Sequence, residues 1–196
     1  MGQAALKSGL TPEEYLAFER ASQEKHEFAG GEIFAMSGGT RAHSLLGVNV
    51  TGELRSALLE RPCEVHGSDM RVKIAATGSY FYPDASVVCT EGRLDDGSGD
   101  TLVNPTVIVE VLSESSEAYD RGEKFAQYRS VPSISDYVLV SQTVARLEHY
   151  RRQADGTWLL TILGPGSELV LASLDVRVAV DRVYLKVPLP EPKPAN

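Results

Sequence analysis

Two carboxylates sit inside apolar, strand-like runs, and they constrain this chain more than any other feature. Asp84 lies in Tyr80-Phe81-Tyr82-Pro83-Asp84-Ala85-Ser86-Val87-Val88-Cys89, and Glu110 in Pro105-Thr106-Val107-Ile108-Val109-Glu110-Val111-Leu112. Desolvating an ionised carboxylate costs several kcal/mol unless it is paired, hydrogen-bonded or bound to a cation. Two carboxylates converging from neighbouring strands are a common way to hold a hard divalent ion such as Mg²⁺. The plainer alternative stays open: Asp84 caps a turn, and Glu110 faces solvent from a half-exposed strand.

The punctuation of the chain says where these runs sit. Thr11-Pro12-Glu13-Glu14 combines an N-cap, a proline at the first helical position and a capping-box glutamate, and predicts a helix to about Ser22. Gly30-Gly31 reads as the tight turn of a hairpin between Glu27 and Met36. Leu46, Val50, Leu54 and Leu58 recur every four residues and predict a helix over 41–60 with one apolar face. Strand signals follow at 64–74, 80–90 and 106–112, then a helix from Asp120 to about Ser130 and a buried strand at 137–140. Strand-like runs at 145–151, 158–163, 169–172 and 176–180 and a helical turn near 181–185 complete the pattern. Helix, three strands, helix and strand, preceded by a hairpin and followed by a strand-rich extension, describe an α/β (α+β) fold with a mixed central sheet flanked by helices.

A length of 196 residues suits one domain, here 1–186, and the proline-rich 187–196 reads as a disordered tail. The formal net charge of −8 opposes the basic patch expected of a nucleic-acid binder, so any such site must be local or supplied partly by cations. Cys63 and Cys89 lack CxxC spacing and fall in strand-like runs, which predicts reduced, buried thiols and a reducing, cytoplasmic compartment. No stretch approaches the roughly 18 apolar residues of a membrane span.

Lys124 is the third residue of chemical interest, because on a helix it shares a face with Asp120 and Tyr128. Near a carboxylate pair it could orient a water or neutralise developing charge. As an ordinary surface ion pair with Asp120 it would be worth only about 0–1 kcal/mol, and Asp120 itself reads as an N-cap. His43, near the start of the long helix, is either a base or a structural histidine. Glu27 and Glu32 flank the Gly-Gly turn without a clear assignment. The segment Ser37-Gly38-Gly39-Thr40 lacks the lysine of a P-loop and the GxGxxG pattern, and no G-x-S-x-G or HExxH motif is present.

Pro83-Asp84, Glu110-Val111-Leu112-Ser113 and Tyr119-Asp120-Arg121-Gly122-Glu123-Lys124-Phe125 together resemble the Uma-two family of restriction-endonuclease-like proteins, within the PD-(D/E)XK phosphodiesterase superfamily. The likeness extends over about residues 10–186 and takes in Glu27, Gly31-Glu32, His43, Ser68-Asp69, Asn104-Pro105, Pro132-Ser133 and Tyr137-Val138-Leu139-Val140. It implies a restriction-endonuclease-like core in which Asp84, Glu110 and the carbonyl of Val111 bind Mg²⁺ or Mn²⁺. It also implies Lys124 as catalytic lysine, His43, Asp69, Asp120 and Glu27 as auxiliary groups and DNA as substrate; a homodimer is expected separately, through exposed edge strands of the strand-rich C-terminal part. One departure stands out. The superfamily lysine belongs two residues after the acid on the same strand face, where this chain has Leu112, so the resemblance is to members whose lysine has moved to the next helix. A non-catalytic homodimeric module that keeps the fold is the competing reading, and a carboxylate-pair glycosidase a weaker third.

Overall fold

The computed structural model describes residues 5–36, 38–89 and 91–190. Its elements in chain order are α1 (Pro12–Ala21), β1 (His26–Ala29), β2 (Glu32–Ala35), α2 (Arg41–Ala57), β3 (Glu64–Gly67), β4 (Arg71–Ile74), β5 (Ser79–Phe81), β6 (Ala85–Val88), β7 (Thr101–Leu102) and β8 (Val107–Val111). There follow α3 (Glu117–Tyr119), a π-helical turn (Asp120–Lys124), α4 (Phe125–Tyr128), β9 (Asp136–Val140), β10 (Leu147–Arg152), β11 (Trp158–Leu163), β12 (Glu168–Leu171), β13 (Val176–Ala179) and α5 (Val180–Val183).

A six-stranded sheet in the order β11-β10-β9-β8-β6-β3 carries the core, and only its β8–β9 pair is parallel. A five-stranded sheet, β2-β1-β5-β4-β7, packs beside it, and β12 and β13 form a separate hairpin. Both predicted strands 64–74 and 80–90 are divided between the two sheets. β3 pairs with β6 in the larger sheet, whereas β4 pairs with β5 in the smaller one, so a two-stranded ribbon bends from one sheet into the other. The bend in the second strand falls at Tyr82-Pro83-Asp84, where proline ends ladder pairing. Asp84 thus stands at the junction of two sheets rather than inside a continuous strand.

Strand β8 is buried on both faces, as expected of a strand with a parallel neighbour. Val107, Val109 and Val111 face Leu46, Val50 and Leu54 of α2, whose four-residue spacing makes the predicted apolar stripe. Ile108 and Leu112 face the opposite way, toward Phe125 and Tyr128 of α4 and Phe81 of β5. Glu110 lies between those two, so the strand's alternation points it at the helical segment 117–128.

At the N-terminus the expectations are met closely. α1 has the full capping box, with Thr11 Oγ1 accepting from the Glu14 amide and Glu14 Oε2 accepting from the Thr11 amide. Gly30 and Gly31 take φ of +61° and +82°, the pair of positive angles that a two-residue hairpin turn requires. Two further expectations fail. Helix formation after β8 begins at Glu117, so Asp120 is an interior residue and not an N-cap. Cys63 and Cys89 are joined in a disulfide, because Glu64 pairs with Val88 in the antiparallel β3–β6 ladder and the residues just beyond face each other with Cα atoms 4.0 Å apart. In the proline-rich segment, Val187 and Leu189 pack against the core; 191–196 lie outside the described residues.

Candidate active site

Four elements deliver side chains to one cavity of about 300 Å³: β1 brings Glu27, α2 brings His43, β8 brings Glu110 and the π-helical turn brings Asp120 and Lys124. Asp84 reaches the same wall from the sheet junction.

Lys124 is the hub. Its Nζ lies 2.9 Å from Glu110 Oε1, 2.8 Å from Glu27 Oε1 and 3.8 Å from Asp120 Oδ1, with its side chain only 6% exposed. Burial lowers the affinity of such an amine for its proton, but Glu110, Glu27 and Asp120 outweigh it and hold Lys124 well above the usual lysine range. The cluster favours the ammonium form of Lys124, which is fit to donate hydrogen bonds and stabilise negative charge.

The carboxylates are under the opposite pressure. Burial pushes Glu110 well above the usual glutamate range; Lys124 opposes this, while Asp120, Asp84 and Glu27 add to it. Asp84 is raised for the same first reason, against the pull of His43, the Val111 amide and Lys124. Asp120 is raised by burial too, with Lys124 and a Ser116 hydrogen bond opposing. Four acidic side chains, Glu27, Asp84, Glu110 and Asp120, thus crowd around one lysine and one histidine.

Asp84, Glu110 and Glu27 each have a defined support, and Asp120 is held through its backbone. Val111 N–H donates to Asp84 Oδ2 at 2.7 Å, which locks the sheet-junction residue to β8. His43 Nε2 stands 3.5 Å from Asp84 Oδ1, and the His43 amide donates to Thr40 Oγ1, the N-cap of α2. Tyr128 Oη donates to Glu110 Oε1 at 3.1 Å. The Tyr82 amide donates to Glu27 Oε1 at 3.2 Å. Tyr137 Oη donates to the Asp120 carbonyl at 2.9 Å and ties the π-helical turn to β9.

Asp84 Oδ1, Glu110 Oε2 and the Val111 carbonyl are hard oxygen donors of the type Mg²⁺ and Mn²⁺ take. Among the described residues no group of three or more His, Cys, Asp or Glu side chains is arranged to hold a metal ion. The geometry explains why: the ammonium of Lys124 occupies the point where Glu27, Glu110 and Asp120 converge. The donor set fits an open site of two carboxylates and a carbonyl, completed by water or a phosphate oxygen, and does not fit an all-protein cage.

Of the residues singled out from sequence, Asp84, Glu110, Lys124, His43, Asp120 and Glu27 all line the cavity. Asp69 does not. It is 95% exposed and pairs with Lys25 at 2.5 Å on the surface. Leu112, in the vacated lysine position, is packed among Phe125, Tyr137 and Leu139. Tyr128 was missed as a functional group, although its spacing of four from Lys124 placed it on the same helical face. A lysine among these carboxylates also argues against a glycosidase, which needs two carboxyls facing an open sugar cleft.

The Uma2 family, described as "Putative restriction endonuclease", matches residues 12–181. This chain belongs to the Uma2 family. Two relatives from Synechocystis sp. (strain ATCC 27184 / PCC 6803 / Kazusa) share much of its sequence. Uncharacterized protein slr1290 is 40% identical over 175 residues, 89% of this chain and 91% of its own. Uncharacterized protein sll1609 is 38% identical over 168 residues, 85% of this chain and 95% of its own. Among solved structures, a crystal structure described as "a putative nuclease belonging to DUF820" from Anabaena variabilis ATCC 29413 aligns with a TM-score of 0.73 at 15% identity, covering 90% of this chain and 98% of its own. That likeness is one of fold. The family match marks this Uma2 protein as restriction-endonuclease-like.

Proposed function

We propose that this protein is a divalent-metal-dependent endonuclease that hydrolyses phosphodiester bonds of DNA, with Asp84, Glu110 and the Val111 carbonyl holding Mg²⁺ or Mn²⁺. The observation that carries the reading is the 2.9 Å contact between Lys124 and Glu110. It returns a lysine to the acidic strand even though Leu112 fills the usual position for one. A bound divalent ion supplies charge neutralisation and polarisation of the phosphate and its attacking water.

The side chains divide the remaining work. Lys124, held protonated, donates to a water or a phosphate oxygen and offsets charge that develops during attack. Glu27 and Tyr128 fix the two ends of that arrangement, one on the lysine and the other on Glu110. His43, beside Asp84 at the rim, is placed to accept or relay a proton. The description of the family as a restriction endonuclease supports DNA as the substrate. The net charge of −8 supports a part for the cation in binding as well as in chemistry.

The test is cleavage of supercoiled plasmid and of single-stranded DNA with Mg²⁺ or Mn²⁺ against EDTA, using Asp84→Asn and Lys124→Met. Loss of activity in EDTA and in both variants, by about 100-fold or more, is expected. Cleavage that survives chelation or both substitutions overturns the reading, and cleavage of RNA alone overturns its substrate.

A further inference from the structure

Three of the exposed large apolar side chains, Leu159, Leu160 and Ile162, fall within four positions of β11, at 48%, 44% and 55% exposure. β11 is an edge of the six-stranded sheet, paired with β10 on one side only. Its sequence, Trp158-Leu159-Leu160-Thr161-Ile162-Leu163, contains no charge, proline or glycine. An edge of this kind is a template for another strand, and folded proteins usually block it.

The other described edges of the two large sheets are short or covered. β3, at the far end of the same sheet, is four residues long, includes Glu64 and Gly67, and is followed across the ladder by the Cys63–Cys89 disulfide. β2 is covered by a bridge between Lys7 and Ile33, and β7 is two residues long with a bridge from Leu94. Only β11, among the described edges of the two large sheets, is both long and bare.

We propose that β11 pairs antiparallel with β11 of a second copy of this chain, about a twofold axis through Leu160. The register follows from backbone geometry. Along an edge strand only alternate residues point their N–H and C=O outward, so two identical strands can bond only when paired positions have the same parity. The twofold must then pass through a residue and not between two residues. Placed at Leu160, it sets Leu160 against its own copy and Trp158 against Ile162, an unbroken apolar row on one face. Leu159 meets Thr161 on the other.

A second copy suits this edge better than an unrelated strand because every partner on the first face is apolar and no like charges meet, despite the chain's net charge of −8. One strand per copy is a small patch beside the roughly 800 Å² per partner of a standard interface, so the dimer is reversible and concentration-dependent.

Light scattering on the intact protein across a dilution series, before and after Leu160→Lys and Ile162→Lys, reads the association. Wild type is expected to shift from monomer to dimer with concentration, and each lysine variant to stay monomeric at an unchanged melting temperature, both sites being exposed. Leu160→Cys is expected to bond directly to its own copy as a disulfide under mild oxidation, and Thr161→Cys, two positions out of register with its copy, is not. A wild type that is monomeric throughout, lysine variants that still dimerise, or self-cross-linking at Thr161 in place of Leu160 overturns the proposal.

Discussion

Lys124 Nζ lies 2.9 Å from Glu110 Oε1 across the gap between a helical turn and the central sheet, and both side chains are withdrawn from solvent. A pair this deep is strongly interdependent, since removing one partner leaves the other charge buried and alone. Lys124→Met is therefore expected to cost about 3 kcal/mol of stability, and the double variant Lys124→Met/Glu110→Gln to recover part of it. Urea unfolding of the four proteins checks this; additive losses in the double variant would show that the two residues do not act as a pair.

Gly39 has a role that its place before α2 does not suggest. A Cβ built there would come within 2.9 Å of Cγ and Nδ1 of His43 and 3.1 Å of its Cβ, so the ring would have to move. Gly39→Ala should displace His43 from Asp84 and lower nuclease activity by about 10-fold, the scale of losing a supporting contact at a metal site. The thermal midpoint should change little. Equal activity in wild type and variant would place His43 outside the chemistry.

Asp136 gives stability with a defined pH window. Burial pushes its carboxyl upward, but hydrogen bonds from His149, Ser135 and Ser173 outweigh this and hold it below the usual aspartate range. A folded-state pKa below the unfolded value, about 3.9, stabilises the protein at higher pH and is lost as pH falls through the folded value. Ser173→Ala removes a 2.7 Å hydrogen bond to Asp136 Oδ2 and should cost about 1–2 kcal/mol at pH 7. That penalty should shrink below about pH 4. A cost independent of pH would assign the effect to packing instead.

The disulfide joins residues separated by 26 positions and clamps β3 to β6. Closing a loop of that length in the unfolded chain stabilises the fold by about 3–4 kcal/mol. Chemical unfolding with and without dithiothreitol should show a loss of this size, and Cys63→Ser/Cys89→Ser should no longer respond to the reductant.

How far the site could be read from sequence differs residue by residue. Asp84 and Glu110 were visible because an acid between valines, or after a proline in an aromatic run, has few cheap explanations. The division of 80–90 between two sheets was not visible, since apolar residues continue across the break and only Pro83 hints at it. Lys124 was visible as a helical neighbour of Asp120 but not as a buried one, because an i, i+4 ion pair has the same spacing on a surface as in a core. The bond between Cys63 and Cys89 depends on the register of β3 against β6, which spacing alone does not encode. The early elements were plain throughout, because capping boxes and glycine turns are local chemistry.

The π-helical turn at Asp120–Lys124 makes chain length part of the active site. A π turn accommodates more residues than an α turn, and here the wider turn directs both Asp120 and Lys124 inward. Deleting Gly122 would remove no charged group of the cluster, yet it would let the segment close into regular α-helix and swing Lys124 and the residues that follow by about 100°. The site is thus more sensitive to a change in residue count than to most changes of residue type, so insertion and deletion variants would find a dependence that a substitution scan of this segment passes over.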